Sequence, residues 1–402
     1  MPIYEYEAKT LTGTALKGKL DAVNEEAAAD ILREKGYYPT RLREFKSSNN
    51  IELTKLQRVK LKDIAVFCRQ FAVVINAGIS VLRSLEIVKE QTENKKLKGI
   101  LEEVFSDVQK GRSLSESMKR HSDFPDMLSD MISVGESSGT LDVIFERMAV
   151  YYDKENALNQ KIKSAMTYPA AISIFAVSVV VLLVTKVLPT FVTMLTQSGA
   201  VLPLPTRMLL GLSSFLTNQW YIVILIIIAI FFGYRGYSSS SQGRRTLDLF
   251  KMRAPIFGKL YSKILTARFA RTFGTLMGSG VPLLNSIQIC ADVVGNAIIR
   301  EALDSTTDEL KKGLSVGETL TARGIFPVML TQMIKIGEEA GTLDAILEKT
   351  ASFYDGEVDT ATSQLTALIE PVIIVILAVI VGFIIMSIIL PMFSMYDVVN
   401  MG

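Results

Sequence analysis

The chain has 402 residues, 49% of them hydrophobic, with 43 basic against 41 acidic side chains and a formal net charge of +2. That length allows two or three domains with separate cores, and so even a charge offers no concentrated basic face of the kind a nucleic-acid binder needs. Mean hydropathy is positive, and the apolar excess is gathered into three windows free of Asp, Glu, Lys, Arg and His: Ser164–Thr185, Met208–Tyr234 and Pro371–Tyr396. Each holds about the 20 apolar residues that a helix needs to cross a bilayer.

Taken in order, residues 3–9 (IYEYEAK) alternate apolar and polar character, as a half-buried strand does. Thr12-Gly13 offers a turn, and Ala15–Ala22 resumes an extended pattern. Asn24 is a good N-cap for the run EEAAADILREKG, with Gly36 at the C-cap position. Residues 37–45 read as extended again. Residues 1–45 are therefore expected to form a small α+β module, followed by a polar linker over 46–60. Gly13–Lys19 fits the phosphate-cradling pattern G-x-x-x-x-G-K, but Leu20 stands where Ser or Thr must ligate Mg²⁺. A strand follows it, whereas phosphate binding needs a helix N-terminus. The reading is a hairpin, with no nucleotide or other cofactor. Met1–Ala22 has no apolar core before a cleavage site, so no secretory signal peptide is expected.

From Leu53 the period becomes helical, with Phe67, Phe71, Val74 and Gly78 on one stripe and Arg69 off it. The stretch Gly111–Glu146 then returns without a gap as Gly313–Glu348, at an offset of 202, with 17 identities in 36 positions. The same offset pairs Phe67 with Phe269, Arg69 with Arg271, Gly78 with Gly280, Asp153 with Asp355, Pro169 with Pro371 and Pro189 with Pro391. This is a tandem duplication of a long unit, not a short solenoid repeat.

Each copy carries the same punctuation. Gly78 and Gly280 mark helix-to-helix turns, and Ser113-x-x-Glu116 and Ser315-x-x-Glu318 read as capping boxes. Phe124-Pro125 and Phe326-Pro327 start the next helix, with proline in its first turn. That helix ends at Gly135-Glu136-x-x-Gly139 or Gly337-Glu338-x-x-Gly341. Thr140 or Thr342 caps another, with Asp142 or Asp344 at its positive end. This last helix runs into a span at Pro169 or Pro371, prolines read as helix-start and helix-stop residues.

Basic residues near the spans set the orientation. Lys154, Lys161 and Lys163 precede the first span, and Arg235, Arg244, Arg245, Lys251 and Arg253 follow the second; Val187–Asn218 carries only Arg207, and Pro371–Gly402 carries none. The expected layout is a first cytoplasmic helical-bundle domain at 61–168, a span at 169–188, an extracytoplasmic loop at 189–218 and a second span at 219–234. A second bundle follows at 235–368, a third span at 371–393 and an extracytoplasmic tail at 394–402. The fold class is mainly α, polytopic in membrane lipid, with the N-terminus cytoplasmic.

No nucleophile–base pairing is legible. The repeated Glu136/Asp142 and Glu338/Asp344 are accounted for by helix-hairpin architecture or partner contact, with ion binding the alternative. His121 is the one histidine and its equivalent is Arg323, a poor basis for a zinc site. Cys68 and Cys290 occupy non-equivalent positions on the reducing side and read as buried thiols. The charge-free spans argue against a small-solute transporter, the reading from another class.

Two copies of F-x-R-x-F…G-[IV]-[SP]…G-x-S-x-x-E…F-P…G-E-x-x-G-T-L-D, each running through a proline into a span, resemble the inner-membrane platform protein of type II secretion and type IV pilus machines, the secretion F family. The resemblance covers nearly the whole chain. It implies two cytoplasmic six-helix bundles, a dimer or tetramer, and no enzymatic activity. It also implies partners: a hexameric cytoplasmic ATPase, pilin or pseudopilin subunits, and other inner-membrane assembly components. Gly135, Glu136, Gly139 and Asp142, with Gly337, Glu338, Gly341 and Asp344, fall on its most recognisable positions, and Arg69 and Arg271 match its first-helix pattern. LREKGYYPT and FCRQFAVVINAGIS look closer to the pilus branch, with the secretion branch as the alternative.

Overall fold

The computed structural model describes residues 3–10, 15–22, 25–34, 36–44, 58–197, 202–255 and 257–400. Contact density separates a small unit (residues 1–59 with 92–100) from a large one (60–91 and 101–402).

In the small unit, β1 (Ile3–Thr10), β2 (Ala15–Asp21) and β3 (Tyr37–Glu44) form an antiparallel sheet in the order β2-β1-β3, with α1 (Glu25–Glu34) between β2 and β3 in the chain. Period-2 alternation buries Tyr4 and Ala8, and the apolar face of α1 buries Ala28 and Leu32. Gly18 and Lys19 of the phosphate-loop-like motif lie inside β2, paired with Tyr6 and Glu5. A side chain at Gly18 would strike the Tyr6 ring. Gly36 has the positive φ of a helix terminator. The Thr12-Gly13 turn, the Asn24 cap and linker residues 46–57 lie outside the described residues.

The duplication is built twice, element for element. The first copy comprises α2 (Leu61–Asn76), α3 (Val81–Gln91), α4 (Lys95–Gln109), α5 (Leu114–Lys119), α6 (Asp126–Ser138) and α7 (Leu141–Leu182). Three further helices connect the copies: α8 (Leu188–Gln197), α9 (Leu204–Asn218) and α10 (Trp220–Ser239), followed by α11 (Ser241–Arg253). The second copy comprises α12 (Phe257–Gly278), α13 (Leu283–Val294), α14 (Ala297–Leu310), α15 (Val316–Arg323), α16 (Val328–Ala340) and α17 (Leu343–Asn400). Equivalent phenylalanine pairs contribute to both cores. Phe67 lies 5.8 Å from Phe124 between ring centroids in the first, and Phe269 lies 4.5 Å from Phe326 in the second.

Four expectations are corrected. Pro169 and Pro371 do not start or stop helices: each lies inside a long continuous one, α7 of 42 residues and α17 of 58. A proline there removes one backbone bond and leaves the flanking turns to hold the axis. The segment 189–218 is helical over most of its length, as α8 and α9, and is not a loop. The second apolar window divides at Gln219, so the crossing helix α10 runs from Trp220 to Ser239. Finally, the first span as drawn to residue 188 includes Lys186, which sits in a π-helical turn, Leu183–Val187, joining α7 to α8. Freedom from charge holds only as far as Thr185.

Three helices are long and apolar enough to cross a membrane: Leu141–Met194, Trp220–Ser239 and Leu343–Leu390. The first and third meet at a buried cluster of Val184, Leu188, Val192, Leu209 and Ile384. Thr206 adds a hydrogen bond from its hydroxyl to the Ser387 carbonyl at 2.6 Å. The α10 helix buries none of its residues.

Candidate functional site

The G-E-x-x-G-T-L-D motif ends α6 and begins α7, and its counterpart joins α16 to α17. Gly139 and Gly341 take the left-handed conformation, φ 72° and 67°, which a side chain disfavours. Gly135 is small because α7 crosses it closely: a Cβ there would come within 2.9 Å of Ile144. Asp142 and Asp344 sit in the first turns of α7 and α17, where the helix dipole favours an anion. Thr140 occupies the N-cap position without capping; its hydroxyl meets Ser138 Oγ at 2.7 Å.

Glu136 does something the local pattern does not reveal. Its carboxylate accepts the N–H groups of Leu114 (2.6 Å) and Ser115 (3.2 Å), with the Ser115 hydroxyl as a third donor. Glu338 repeats this on α15, accepting from Val316 N–H (3.2 Å), Gly317 N–H (3.4 Å) and the Ser315 hydroxyl (2.6 Å). A carboxylate on a helix start satisfies orphan donors and complements the dipole together. Ser113 and Ser315 accept from Glu116 and Glu318 N–H as expected, at 3.2 and 3.4 Å. Among the described residues neither Glu116 nor Glu318 completes the box by bonding the cap amide; Glu318 faces Lys335 at 3.6 Å instead. The return carboxylate comes from about 22 residues downstream. Pro125 and Pro327 are themselves the N-cap residues of α6 and α16, one position earlier than their first turns. Gly78 and Gly280 take positive φ, 78° and 76°, at the α2–α3 and α12–α13 turns.

The two predicted arginines diverge. Arg69 on α2 pairs with Asp153 on α7, with the two side chains 63% and 40% exposed. Arg271, its equivalent on α12, pairs with Asp355 and reaches across to the first copy, where its Nη1 donates to Glu155 at 3.0 Å. Arg268 Nε donates to the other oxygen of Glu155 at 2.9 Å. Arg271 and Glu155 are 5% and 8% exposed. Nearby, the Tyr151 and Thr272 hydroxyls are 3.0 Å apart. Burial, reinforced by the Glu155 carboxylate, pushes the Tyr151 phenol up from its ordinary value.

Along the same seam Lys154 meets Glu348 (3.5 Å), Lys161 meets Asp359 and Tyr168 donates to Glu370 (3.1 Å). Residue numbers rise together in these pairs, so α7 and α17 run parallel. Leu158 completes an apolar cluster with Leu260, Val358 and Leu365. An open groove of about 490 Å³ remains between the copies, lined by Arg147, Tyr151 and Lys154 on one side and Arg271, Asp344 and Asp355 on the other. Sequence reading missed Glu155 and Arg268. The available signal was a position where the copies differ in charge: Arg268 corresponds to Val66.

The remaining singled-out residues lie apart from this seam. His121 Nε2 is 3.8 Å from Glu103, and Cys68 and Cys290 are buried free thiols whose pKa burial raises. What the seam does is mechanical: buried, charge-assisted bonds clamp two bundles whose last helices continue into the bilayer.

Twin six-helix bundles, each extended into a membrane-crossing helix and joined through a buried arginine–glutamate network, define a duplicated membrane scaffold. More specifically, the chain belongs to the type II secretion system protein F family. The family model described as Type II secretion system (T2SS), protein F matches residues 67–189 and again 269–391, and the model for its N-terminal domain matches residues 1–43. The chain is 39% identical to a type IV pilus assembly protein PilC of Thermus thermophilus over 98% of both chains. It is 35% identical to the protein of that name in Myxococcus xanthus, over 97% of this chain and 94% of the relative. A type II secretion system protein F of Pseudomonas aeruginosa is 30% identical over the full length of both.

Proposed function

We propose that this chain is the non-catalytic inner-membrane platform of a type IV pilus assembly machine, coupling a cytoplasmic hexameric ATPase to the insertion or removal of pilin subunits. The observation that carries the pilus branch is the full-length similarity to pilus assembly proteins, at 39% against 30% for the secretion relative. The platform protein of a type II secretion system is the second reading, favoured by the name of the matching family model.

The geometry supports a coupling role. A straight α-helix rises about 1.5 Å per residue, so the 58-residue α17 is a rod of about 87 Å linking bundle to bilayer without a break. The basic residues flanking the first two spans support an orientation with both bundles on the cytoplasmic side and the C-terminal tail outside. In this reading the repeated Gly, Glu and Asp positions shape the bundles, and the ATPase, pilins and further copies of the chain meet their surfaces.

Two measurements test this. Removing the gene from a piliated host is expected to abolish filaments while the purified motor keeps its ATP hydrolysis rate. The full-length chain in detergent is expected to capture the pilus ATPase rather than the secretion ATPase. Normal piliation overturns the platform reading, and capture of the secretion ATPase alone moves the chain to the other branch.

A further inference from the structure

The seam between the copies is one-sided, and the half of each copy that it leaves unused forms a matching pair. Repeat 1 presents Arg147, Tyr151 and Glu155, at four-residue spacing on one face of α7, to repeat 2. The Arg147 guanidinium lies against Gly278, with Asp344 lining the same groove. Tyr151 bonds Thr272, and Glu155 holds Arg268 and Arg271.

At the offset of 202 the presenting stripe becomes Lys349, Phe353 and Glu357 on α17. The chemistry is retained residue by residue: cation, aromatic ring, carboxylate. Yet Lys349 is exposed, Phe353 is 46% exposed, and Glu357 is only partly covered beside Lys263. The receiving face becomes Val66, Arg69, Gln70, Val73 and Asn76 on α2, with Asp142 at the start of α7. Val66 and Val73 are 44% and 65% exposed. Asn76 and Asp142 line an open cleft of about 410 Å³, the equivalent of the place that Arg147 enters in repeat 2.

We propose that the Lys349–Phe353–Glu357 stripe of a second copy of this chain docks on the α2 face of repeat 1, repeating between chains the contact that Arg147–Tyr151–Glu155 makes within one. Lys349 then meets Asp142 and Asn76, Phe353 covers Val66 and Val73, and Glu357 takes Arg69 as Glu155 takes Arg271. The slimmer lysine head suits a site where Asn76 replaces Gly278. Continuity with the internal seam and charge complementarity select this occupant over an unrelated partner. Because α7 and α17 run parallel into the bilayer, the repeated contact keeps every bundle on one side of the membrane. A head-to-tail contact of this kind closes into a ring after two or more chains. It is weaker than the internal seam: Lys161–Asp359 becomes Ser363 facing Ala157, and Lys154–Glu348 becomes Gly356 facing Glu146.

The inference deepens the homo-oligomer part of the proposed function and does not depend on which ATPase is captured. Two differently tagged full-length chains are co-expressed, one carrying Val73→Cys and the other Phe353→Cys, and membranes are oxidised before solubilisation. A disulfide-linked heterodimer is expected, with no product from a Val73→Cys pair. Without oxidation, Phe353→Glu is expected to lower co-purification of the two tags by roughly tenfold or more, the scale of a lost anchor. Arg69→Glu is expected to lower it too, and adding Glu357→Arg to restore it. Phe353 and Arg69 are exposed, so these changes leave the cores intact. Co-purifying chains that fail to cross-link, or cross-link only through paired Val73→Cys, overturn this interface but not self-association. Chains that never co-purify overturn both, while the ATPase capture result stands on its own. A cross-link from Val73→Cys to a different polypeptide also overturns the proposal.

Discussion

The two copies share a core, caps and turns, yet the same arginine leads two lives. Arg271 is buried beneath Glu155 of the other copy, whereas within one chain Arg69 stays exposed beside Asp153. What separates them is what lies above them, not their own bundle. The lesson is that duplication fixes the interior of each bundle, while the surface residues around equivalent positions decide which copy becomes a joint and which remains open.

Four experiments break or sharpen that contrast. Glu155→Ala has the largest expected effect: it strips one partner from a buried arginine, a change that costs about 3–5 kcal/mol when nothing compensates. Asp355 remains on Arg271, so the lower end is expected, read as a fall in the unfolding midpoint of the detergent-solubilised chain and as new proteolytic cleavage between the copies. Next come Glu136→Ala and Glu338→Ala. Each removes a charged acceptor from a helix start at about 1.5–3 kcal/mol, and the two are expected to agree because each carboxylate takes two backbone N–H groups and one hydroxyl. Ser113→Ala and Ser315→Ala follow at about 0.5–2 kcal/mol, with Ser315→Ala the costlier because its hydroxyl also donates to Glu338. Arg69→Ala is smallest, about 0.2–1 kcal/mol for an exposed pair, and its effect is expected to fade in high salt. Equal losses from Arg69→Ala and Arg271→Ala would erase the distinction between the two copies.

A pH scan adds a check on the shared interior. The Cys68 and Cys290 thiols are raised by burial, above an ordinary value of 9.0. Above about pH 9 the unfolded chain releases thiol protons that the folded chain keeps, so stability is expected to fall as pH rises through that region and to be indifferent to these groups below it. Neither thiol is expected to react with maleimide until denaturant is added.

Much of this was legible in the residues. The offset of 202, the glycine turns and the serine caps follow from local chemistry, because a helix end declares itself within four residues. Glu136 was seen, but its target was not, because the helix it caps begins about 22 residues earlier and only the fold brings them together. The Glu155–Arg268–Arg271 network was hidden for a related reason: it joins residues more than a hundred positions apart, and repeat 1 carries Val66 where Arg268 stands. Pro169 and Pro371 misled because proline's local rule, to end a helix, yields to a long flanking helix on either side.

The parallel course of α7 and α17 has a consequence of parity. A unit that ends by entering the membrane, when copied end to end, delivers its second copy to the far side. Two bundles clamped side by side therefore require one extra crossing between them. The α10 helix, which has no counterpart in the repeat and buries none of its residues, is that crossing. Within one chain its contribution is one of count, since no neighbour covers it, whereas α7 and α17 are held by theirs.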